Sequence, residues 1–103
     1  MPSTTYNLIR KSIIERSNIR ALYGGHVRDL TPHLIGTKAG VEQALFFQFA
    51  GGSESGLPIG GEWRCLTLNE LSVVSIIGGE LHSDPTQVEL QTCVDNIDIQ
   101  ITL

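Results

Sequence analysis

The spacing of the apolar residues changes from helical to extended near residue 17, and this change constrains the fold more than any other feature. Tyr6, Ile9 and Ile13 follow the helical period, with charged residues between them. Beyond Asn18 the apolar residues alternate with polar ones or form runs of strand length. The pattern therefore predicts one helix at about residues 5–16, followed only by strands. Three residues could cap this helix: Ser3, Thr4 and Thr5.

Glycine-rich turns divide the rest of the chain into five or six short strands. Gly24 and Gly25 supply the positive backbone angles of a hairpin turn after a first strand that ends at Tyr23. Pro32 is expected to interrupt or end the second strand, because proline cannot donate to a ladder. The further extended pieces are expected at residues 33–37, 41–50, 62–68 and 71–77, and at the end of the chain where Ile97, Ile99, Ile101 and Leu103 alternate with polar residues. These elements predict a mainly β fold, a small, strongly bent antiparallel barrel at about residues 18–103 with the helix covering one end.

The bulk composition is that of a globular protein with one domain. A length of 103 residues, 41% hydrophobic and 17% charged, suits a single core. Apolar stretches stay far below the roughly 20 residues that span a bilayer, and charged residues from Arg10 to Arg16 break up any secretory leader. We therefore expect a cytoplasmic protein without a membrane partner. The net charge of −4 argues against non-specific binding to phosphate backbones.

The metal-ligating residue types show no motif spacing. Cys65 and Cys93 are too few for a disulfide scaffold and lack C-x-x-C spacing, so they are expected to be buried free thiols without zinc or redox chemistry. His26, His33 and His82 have neither helical i, i+4 spacing nor an adjacent cysteine pair. No metal and no cofactor is expected.

An ordered series of residues runs through positions 19–77. An aromatic residue ends the first strand, an Arg-x-x-x-Pro step follows, and a glycine turn, an apolar strand and an arginine-led strand complete the series. The residues are, in order, Tyr23, Arg28, Pro32, Leu34, Gly40, Leu45, Phe46, Phe47, Arg64, Leu66 and Leu68. In this order they resemble the WYL domain, an Sm-like small barrel of bacterial regulators.

Two places depart from the pattern of that family. Gln43 and Ala44 precede Leu45 where the family has Trp and Tyr, and Thr67 stands where it often has another arginine. WYL domains usually follow a DNA-binding winged helix and are thought to sense a ligand, often a nucleotide or nucleic acid. This sequence shows no helix-turn-helix, so the resemblance implies a stand-alone, non-enzymatic sensing or regulatory module. The site positions that the resemblance implies are Tyr23, Arg28, His33, Trp63 and Arg64.

The two arginines are the strongest candidates for ligand binding. Arg28 and Arg64 lie among apolar neighbours of predicted strands, where an unpaired guanidinium is costly to bury. Each must therefore pair with a carboxylate or hold an anion, for which the planar fork is suited. The carboxylates that would serve as ion-pair partners instead are Asp29, Glu42, Glu62 and Glu70.

The glycine-rich loop at residues 51–61 is the second candidate element. It lacks the spacing of a P-loop and of a nucleophile elbow, but its amides and the hydroxyls of Ser53 and Ser55 could form an anion site or a lid. A plain hairpin connection is the alternative. Trp63 could likewise line a pocket beside the loop or stack bases, whereas the phenylalanines at positions 46, 47 and 49 are expected mainly to fill the core.

Three hypotheses follow. The first is a non-enzymatic module that binds an anionic small molecule, nucleotide or short single-stranded nucleic acid between Arg28, Arg64 and the loop. The second is an interaction protein that forms a homo-oligomer through a sheet edge or an apolar face. The third, ranked last, is a small enzyme that uses Cys65 or Ser53 with His33.

Overall fold

The chain begins with a helix, α1, at Thr4–Ile14, in a computed structural model that describes residues 2–53, 56–84 and 92–101. The helix starts one residue before the predicted start and ends two residues before the predicted end. Ser3 is its N-cap, and the Ser3 hydroxyl accepts from the Tyr6 amide at 3.1 Å. The apolar residues at positions 6, 9 and 13 are buried, as their helical spacing predicts.

The remainder is β structure with one short helical turn. The strands are β1 at Ile19–Tyr23, β2 at His26–Lys38, β3 at Val41–Gly51, β4 at Glu62–Thr67, β5 at Ser72–Ile76 and β6 at Asn96–Gln100, and a 3-10 turn at Leu68–Glu70 joins β4 to β5. All pair antiparallel in one six-stranded sheet of order β4-β3-β2-β1-β5, with β6 added beside β2. The prediction of a mainly β fold with one N-terminal helix is confirmed.

The sheet is bent but not closed. Its two ends, β4 and β5, are not hydrogen-bonded to each other in the described residues, so the expected barrel closure is not reached there. The 3-10 turn is the covalent connection between β4 and β5. The helix α1 packs on the sheet against β2, β5 and β6. The core lies between the helix and the concave face. Its fully buried side chains include Ile9, Ile19, Leu30, Ile35, Phe46 and Leu68.

Pro32 does not end its strand, which was one of the two outcomes predicted for it; the other was an interruption. β2 continues through it, and Pro32 pairs with Phe46 of β3. The pairing of β1 with β2 stops at Leu30, and that of β6 starts at Leu34. Pro32 therefore lies in the part of β2 that follows the pairing with β1 and precedes the pairing with β6. On the other side of β2, the pairing with β3 shifts its register just after Pro32. The missing N–H of a proline is tolerated at such a bulge, where β2 has no strand beside it on one side.

A network of hydrogen bonds joins the segment that follows β5 to Asn18, Thr31 and His33. The Asn18 side chain donates to the Glu80 carbonyl at 2.6 Å and accepts from Thr31. The His82 amide donates to the Thr31 hydroxyl at 3.0 Å, and the His33 ring nitrogen Nε2 donates to the His82 carbonyl at 2.9 Å. These bonds give partners to polar groups that would otherwise be buried without a hydrogen bond.

The two cysteines form a disulfide bridge, so the expectation of buried free thiols is wrong. Cys65 lies on β4 and is exposed, whereas Cys93 lies just before β6 and is 8% exposed. The Cα atoms are 5.6 Å apart, within the range that a disulfide spans. The prediction failed because the tertiary fold brings together residues that are 28 positions apart in the sequence.

β6 confirms the predicted terminal strand, but it is not buried on one face as its alternation suggested. Ile97 is 47% exposed and Ile99 only partly buried, while Leu103 lies outside the described residues. β6 pairs with β2 beyond the point where β1 stops, and four of its five residues are exposed. Among residues 2–53, 56–84 and 92–101, no helix is long and apolar enough to cross a membrane.

Candidate functional site

A cavity of about 660 Å³ opens beside the turn of the β1–β2 hairpin. Strand β4 forms its opposite wall, the beginning of the glycine-rich loop forms one rim, and the 3-10 turn supplies an acidic side chain. The lining residues are Tyr23, Gly24, Arg28, Ser53, Trp63, Arg64, Cys65, Leu66 and Glu70. Its size is that of a pocket for a small organic ligand.

Five of the seven candidate residues from the sequence line this cavity: Tyr23, Arg28, Ser53, Trp63 and Arg64. His33 is not among the lining residues, but its ring meets the Trp63 ring edge-on with 4.6 Å between centroids. Ser55 lies outside the described residues. The structure thus brings together residues that are up to about 40 positions apart in the chain.

Arg28 lines the cavity and is held by several contacts. It is only 5% exposed, and its Nε donates to the Tyr23 carbonyl at 3.2 Å. Its guanidinium carbon lies 4.9 Å from the centroid of the Tyr23 ring, a cation–π arrangement. Its Nη1 donates to Oε1 of Gln48 at 3.4 Å. The guanidinium is therefore oriented by the hairpin and by β3.

Gln48 connects Arg28 to the base of the loop. Its side chain is fully buried, and its amide nitrogen donates to the carbonyls of Ala50 and Gly52 at 3.1 and 3.0 Å. The same side chain accepts from Arg28 through its amide oxygen. An amide can do this because it carries donors and an acceptor on one group. Sequence reasoning missed Gln48, since a lone glutamine in a strand carries no recognisable signal.

Arg64 binds the loop from the other side. Its Nη2 donates to the Ser53 hydroxyl and to the Gly56 carbonyl, both at 3.2 Å, and the Ser53 hydroxyl donates onward to the Gly56 carbonyl at 2.8 Å. Nη2 also forms an ion pair with Glu62 at 3.0 Å. The ion-pair alternative thus holds for Arg64 with one of the four proposed carboxylates. Asp29 pairs instead with the exposed Arg20.

Two donors beside the cavity lack acceptors within the described part of the chain. They are the indole Nε1 of Trp63 and the guanidinium Nε of Arg64, both buried. Leaving a buried donor unpaired costs about 1–3 kcal/mol for each group. Both atoms are shielded from solvent, so a ligand in the cavity does not reach them as the wall stands.

Glu70 balances part of the positive charge of the site. Burial raises the pKa of the Tyr23 hydroxyl, and the hydrogen bond to Glu70 and its negative charge raise it further, against the opposite effect of Arg28. Tyr23 therefore stays protonated at neutral pH and donates to Glu70. The sequence predicted Glu70 as one possible ion-pair partner of an arginine, whereas in the structure Glu70 lies beside Tyr23.

The aromatic residues separate into core and cavity. Phe46 and Phe47 are buried, as expected, and Phe47 contacts Trp63 edge-on at 5.2 Å between centroids. Phe49 stacks on the ring of His82 at 3.9 Å. Trp63 thus lies between His33 and Phe47 and also lines the cavity, so its ring is fixed by the core while part of it faces the site.

The groups proposed for the enzyme hypothesis have other partners. Cys65 is in a disulfide, and the Ser53 hydroxyl donates to a backbone carbonyl. Within the described ranges, no group of three or more His, Cys, Asp or Glu side chains is placed to hold a metal ion. Comparison of the chain with family models, with curated proteins and with solved structures gives no match.

Proposed function

We propose that the chain is a non-enzymatic, WYL-like binding module whose cavity takes an anionic ligand, such as a nucleotide or a short single strand. One observation carries the proposal: Arg28 from β2 and Arg64 from β4 line the same cavity. Guanidinium groups converging from separate strands suit phosphate or carboxylate oxygens.

The ion pair of Arg64 leaves room for a ligand. The Glu62 side chain is 42% exposed, so its attraction for Arg64 is weakened by solvent. An anion in the cavity can replace Glu62 as the partner of Arg64 at small cost. Tyr23 and Trp63 add ring surfaces on which a nucleobase can stack, and such stacking is typically worth about 1–3 kcal/mol per base. This combination favours a ligand with both an anionic and an aromatic part.

The test is a thermal-shift screen followed by calorimetry. The probes are inorganic phosphate, mononucleotides, cyclic nucleotides and short single-stranded oligonucleotides. A ligand should raise Tm of the unaltered protein and lose affinity about 10- to 150-fold in Arg64→Gln, which is the loss of a charge-assisted hydrogen bond of about 1.5–3 kcal/mol. Arg20→Gln is the matched control, because it removes the same charge from an exposed ion pair outside the cavity.

Two outcomes would contradict the proposal. One is that no probe in the panel raises Tm, and the other is a ligand whose affinity falls equally in Arg64→Gln and Arg20→Gln. Arg28→Gln is a second test of the cavity, and circular dichroism shows whether it still folds, since the Arg28 side chain is buried.

A homo-oligomer is the second candidate function, and the open sheet favours it. The outer edges of β4 and β5 have no hydrogen-bonded neighbour in the described residues, and Val73 on β5 is 82% exposed. Unpaired edges are templates for association with another chain. Light scattering after size exclusion measures the mass, and Val73→Lys should reduce an oligomer to monomers if this edge forms the contact.

We propose the cytoplasm as the location of the protein.

A further inference from the structure

The two sulfurs of the bridge differ sharply in their surroundings. Cys65 is exposed on β4 and lines the cavity. Cys93 is 8% exposed and packs with Leu34, Val94 and the partly buried Leu45. Strand β4 is the last strand of the sheet, so within the described residues no neighbouring strand covers its outer edge. Access to the bridge is therefore one-sided.

We infer that the Cys65–Cys93 bridge is a reversible thiol-exchange site, entered by a small thiol at Cys65. Exchange needs an incoming thiolate to reach one sulfur of the bridge while the other sulfur leaves. Cys65 is the exposed residue of the pair, and the sulfur of the buried residue, Cys93, is the leaving group. The chemical class of the partner is a low-molecular-weight thiol of the glutathione type. The inference does not depend on what the cavity binds.

The exchange balances without a further reactant. A thiolate RS⁻ attacks Sγ of Cys65, the Cys65–Cys93 bond breaks, and the electron pair leaves on Cys93 as a thiolate. The product is a mixed disulfide, R–S–S–Cys65. A second RS⁻ can then attack the sulfur of R, which releases RSSR and the Cys65 thiolate. The two cysteines are reduced and two molecules of RSH are oxidised to one disulfide.

The reduced state has a place for the new thiol. Oε1 of Gln43 on β3 lies 3.6 Å from Sγ of Cys65, so it can accept a hydrogen bond from the Cys65 thiol once the bridge is open. The chain around Cys93 keeps backbone ties of its own. Lys38 donates to the Thr92 carbonyl at 2.6 Å, and the Asp95 amide donates to the Thr37 carbonyl at 2.9 Å.

An adduct at Cys65 would stand on the face of β4 that carries the bridge. Cys65 pairs with Leu45, and strand alternation places its side chain on the opposite face of β4 from those of Arg64 and Leu66. Exchange at the bridge therefore changes the chemical character of that face of the sheet. In the cytoplasmic location proposed above, such a bridge would belong to the transient or redox-sensing disulfides of reducing compartments.

The experiment uses the folded, oxidised protein and reduced glutathione as the probe. After a short incubation, acid quenching and alkylation, peptide mapping locates the mixed disulfide. We expect the adduct on Cys65 and the alkyl group on Cys93. An adduct mainly on Cys93 would overturn the inference, as would a bridge that opens only in denaturant or a protein purified without reductant that carries two free thiols.

Single-cysteine variants give a second, independent measurement. In Cys93→Ser, oxidised glutathione should modify Cys65 at least about tenfold faster than it modifies Cys93 in Cys65→Ser, because reactivity of a thiol follows its exposure and thiolate content. Equal rates would also overturn the inference. Fluorescence of Trp63, the sole tryptophan, shows that both variants are folded under the conditions of the test.

Discussion

At the scale of the residue, His33 is the most informative position. Its ring is buried behind Trp63, and burial lowers its pKa below the usual range, although the hydrogen bond to the His82 carbonyl acts in the opposite direction. The charged form is disfavoured because few groups replace its lost solvation. His33 therefore lies in the folded protein as a neutral donor that positions the segment after β5.

The lowered pKa makes stability depend on pH near neutrality. The unfolded chain binds a proton at His33 more readily than the folded one, so the free energy of unfolding should fall as the pH drops below about 6.5. His33→Gln should show a weaker decrease, because a glutamine can donate to the His82 carbonyl without titrating. Urea unfolding at several pH values between about 5 and 8 measures this. An equal decrease in both proteins would contradict the assignment, and His26→Gln serves as the histidine control.

At the scale of the element, strand β6 depends on a close approach at Gly36. A Cβ at this position would meet the Asn96 carbonyl oxygen and come within 2.6 Å of a Val94 methyl carbon. Gly36 has an ordinary backbone angle, so it is the lack of a side chain that matters here. Position 36 is where β6 shifts its register along β2.

Gly36→Ala should therefore loosen β6. We expect a destabilisation of about 1–3 kcal/mol from overpacking and faster amide hydrogen exchange at Asn96–Gln100. Gly40→Ala is the control: its φ of +79° makes a side chain unfavourable, but a Cβ there has no atom within 4 Å. Loss of stability in Gly40→Ala should leave exchange in β6 unchanged. Amide exchange in β6 of Gly36→Ala that is as slow as in the unaltered protein would contradict this expectation, because β6 would then tolerate the methyl group.

The helix and β6 are also joined by a hydrogen bond that is sensitive to high pH. The Tyr6 hydroxyl donates to Asp98 at 2.6 Å, and Arg10 donates to the same oxygen at 3.0 Å. Burial first, and then the Asp98 carboxylate, raise the pKa of Tyr6 to about 12. The folded state holds this proton more tightly than the unfolded state, so the stabilisation is complete below about pH 10 and is lost as the pH rises towards 12.

Ultraviolet titration of the phenolate tests this link. The difference between the unaltered protein and Tyr6→Phe isolates Tyr6 from Tyr23, the other tyrosine. Asp98→Asn should lower the apparent pKa of Tyr6, because it removes the negative charge while keeping an acceptor. A value for Tyr6 near its ordinary pKa of about 10 in the unaltered protein would contradict the hydrogen bond.

At the scale of the whole molecule, the disulfide adds a covalent link between two segments that are 28 positions apart in the sequence. It ties β4, at one end of the sheet, to the start of β6, beside β2 in the middle. For a span of 28 residues the chain-entropy estimate of its stabilisation is about 3.5 kcal/mol. The constraint acts mainly on the unfolded chain, so the folded sheet should survive reduction.

Reduction should accordingly lower the free energy of unfolding by about 2–4 kcal/mol, with little change in the far-ultraviolet circular dichroism spectrum. Urea unfolding with and without a dithiol reductant measures the difference on the same chain. The double variant Cys65→Ala/Cys93→Ala is the control, because reductant should not change its stability. Unfolding of the protein on reduction at room temperature would show that the bridge contributes more than this estimate.

Local chemistry in the sequence determined the helix, its cap at Ser3, the turn at Gly24 and Gly25 and the sequence of strands. These features depend on residues within a few positions of one another, so hydrophobic period and turn preference suffice to predict them. The choice of Arg28 and Arg64 as candidate site residues rested on the cost of burying an unpaired guanidinium. That argument left open whether a carboxylate or a ligand satisfies them.

The tertiary structure alone decided the passage of β2 through Pro32, the bridge between Cys65 and Cys93, and the role of Gln48 behind Arg28. Each depends on which strands lie side by side, and pairing between distant segments is not encoded in local propensity. The cavity has the same origin. Its walls come from β1, β2, β4 and the 3-10 turn, which meet only because the bent sheet brings its two ends around the same core.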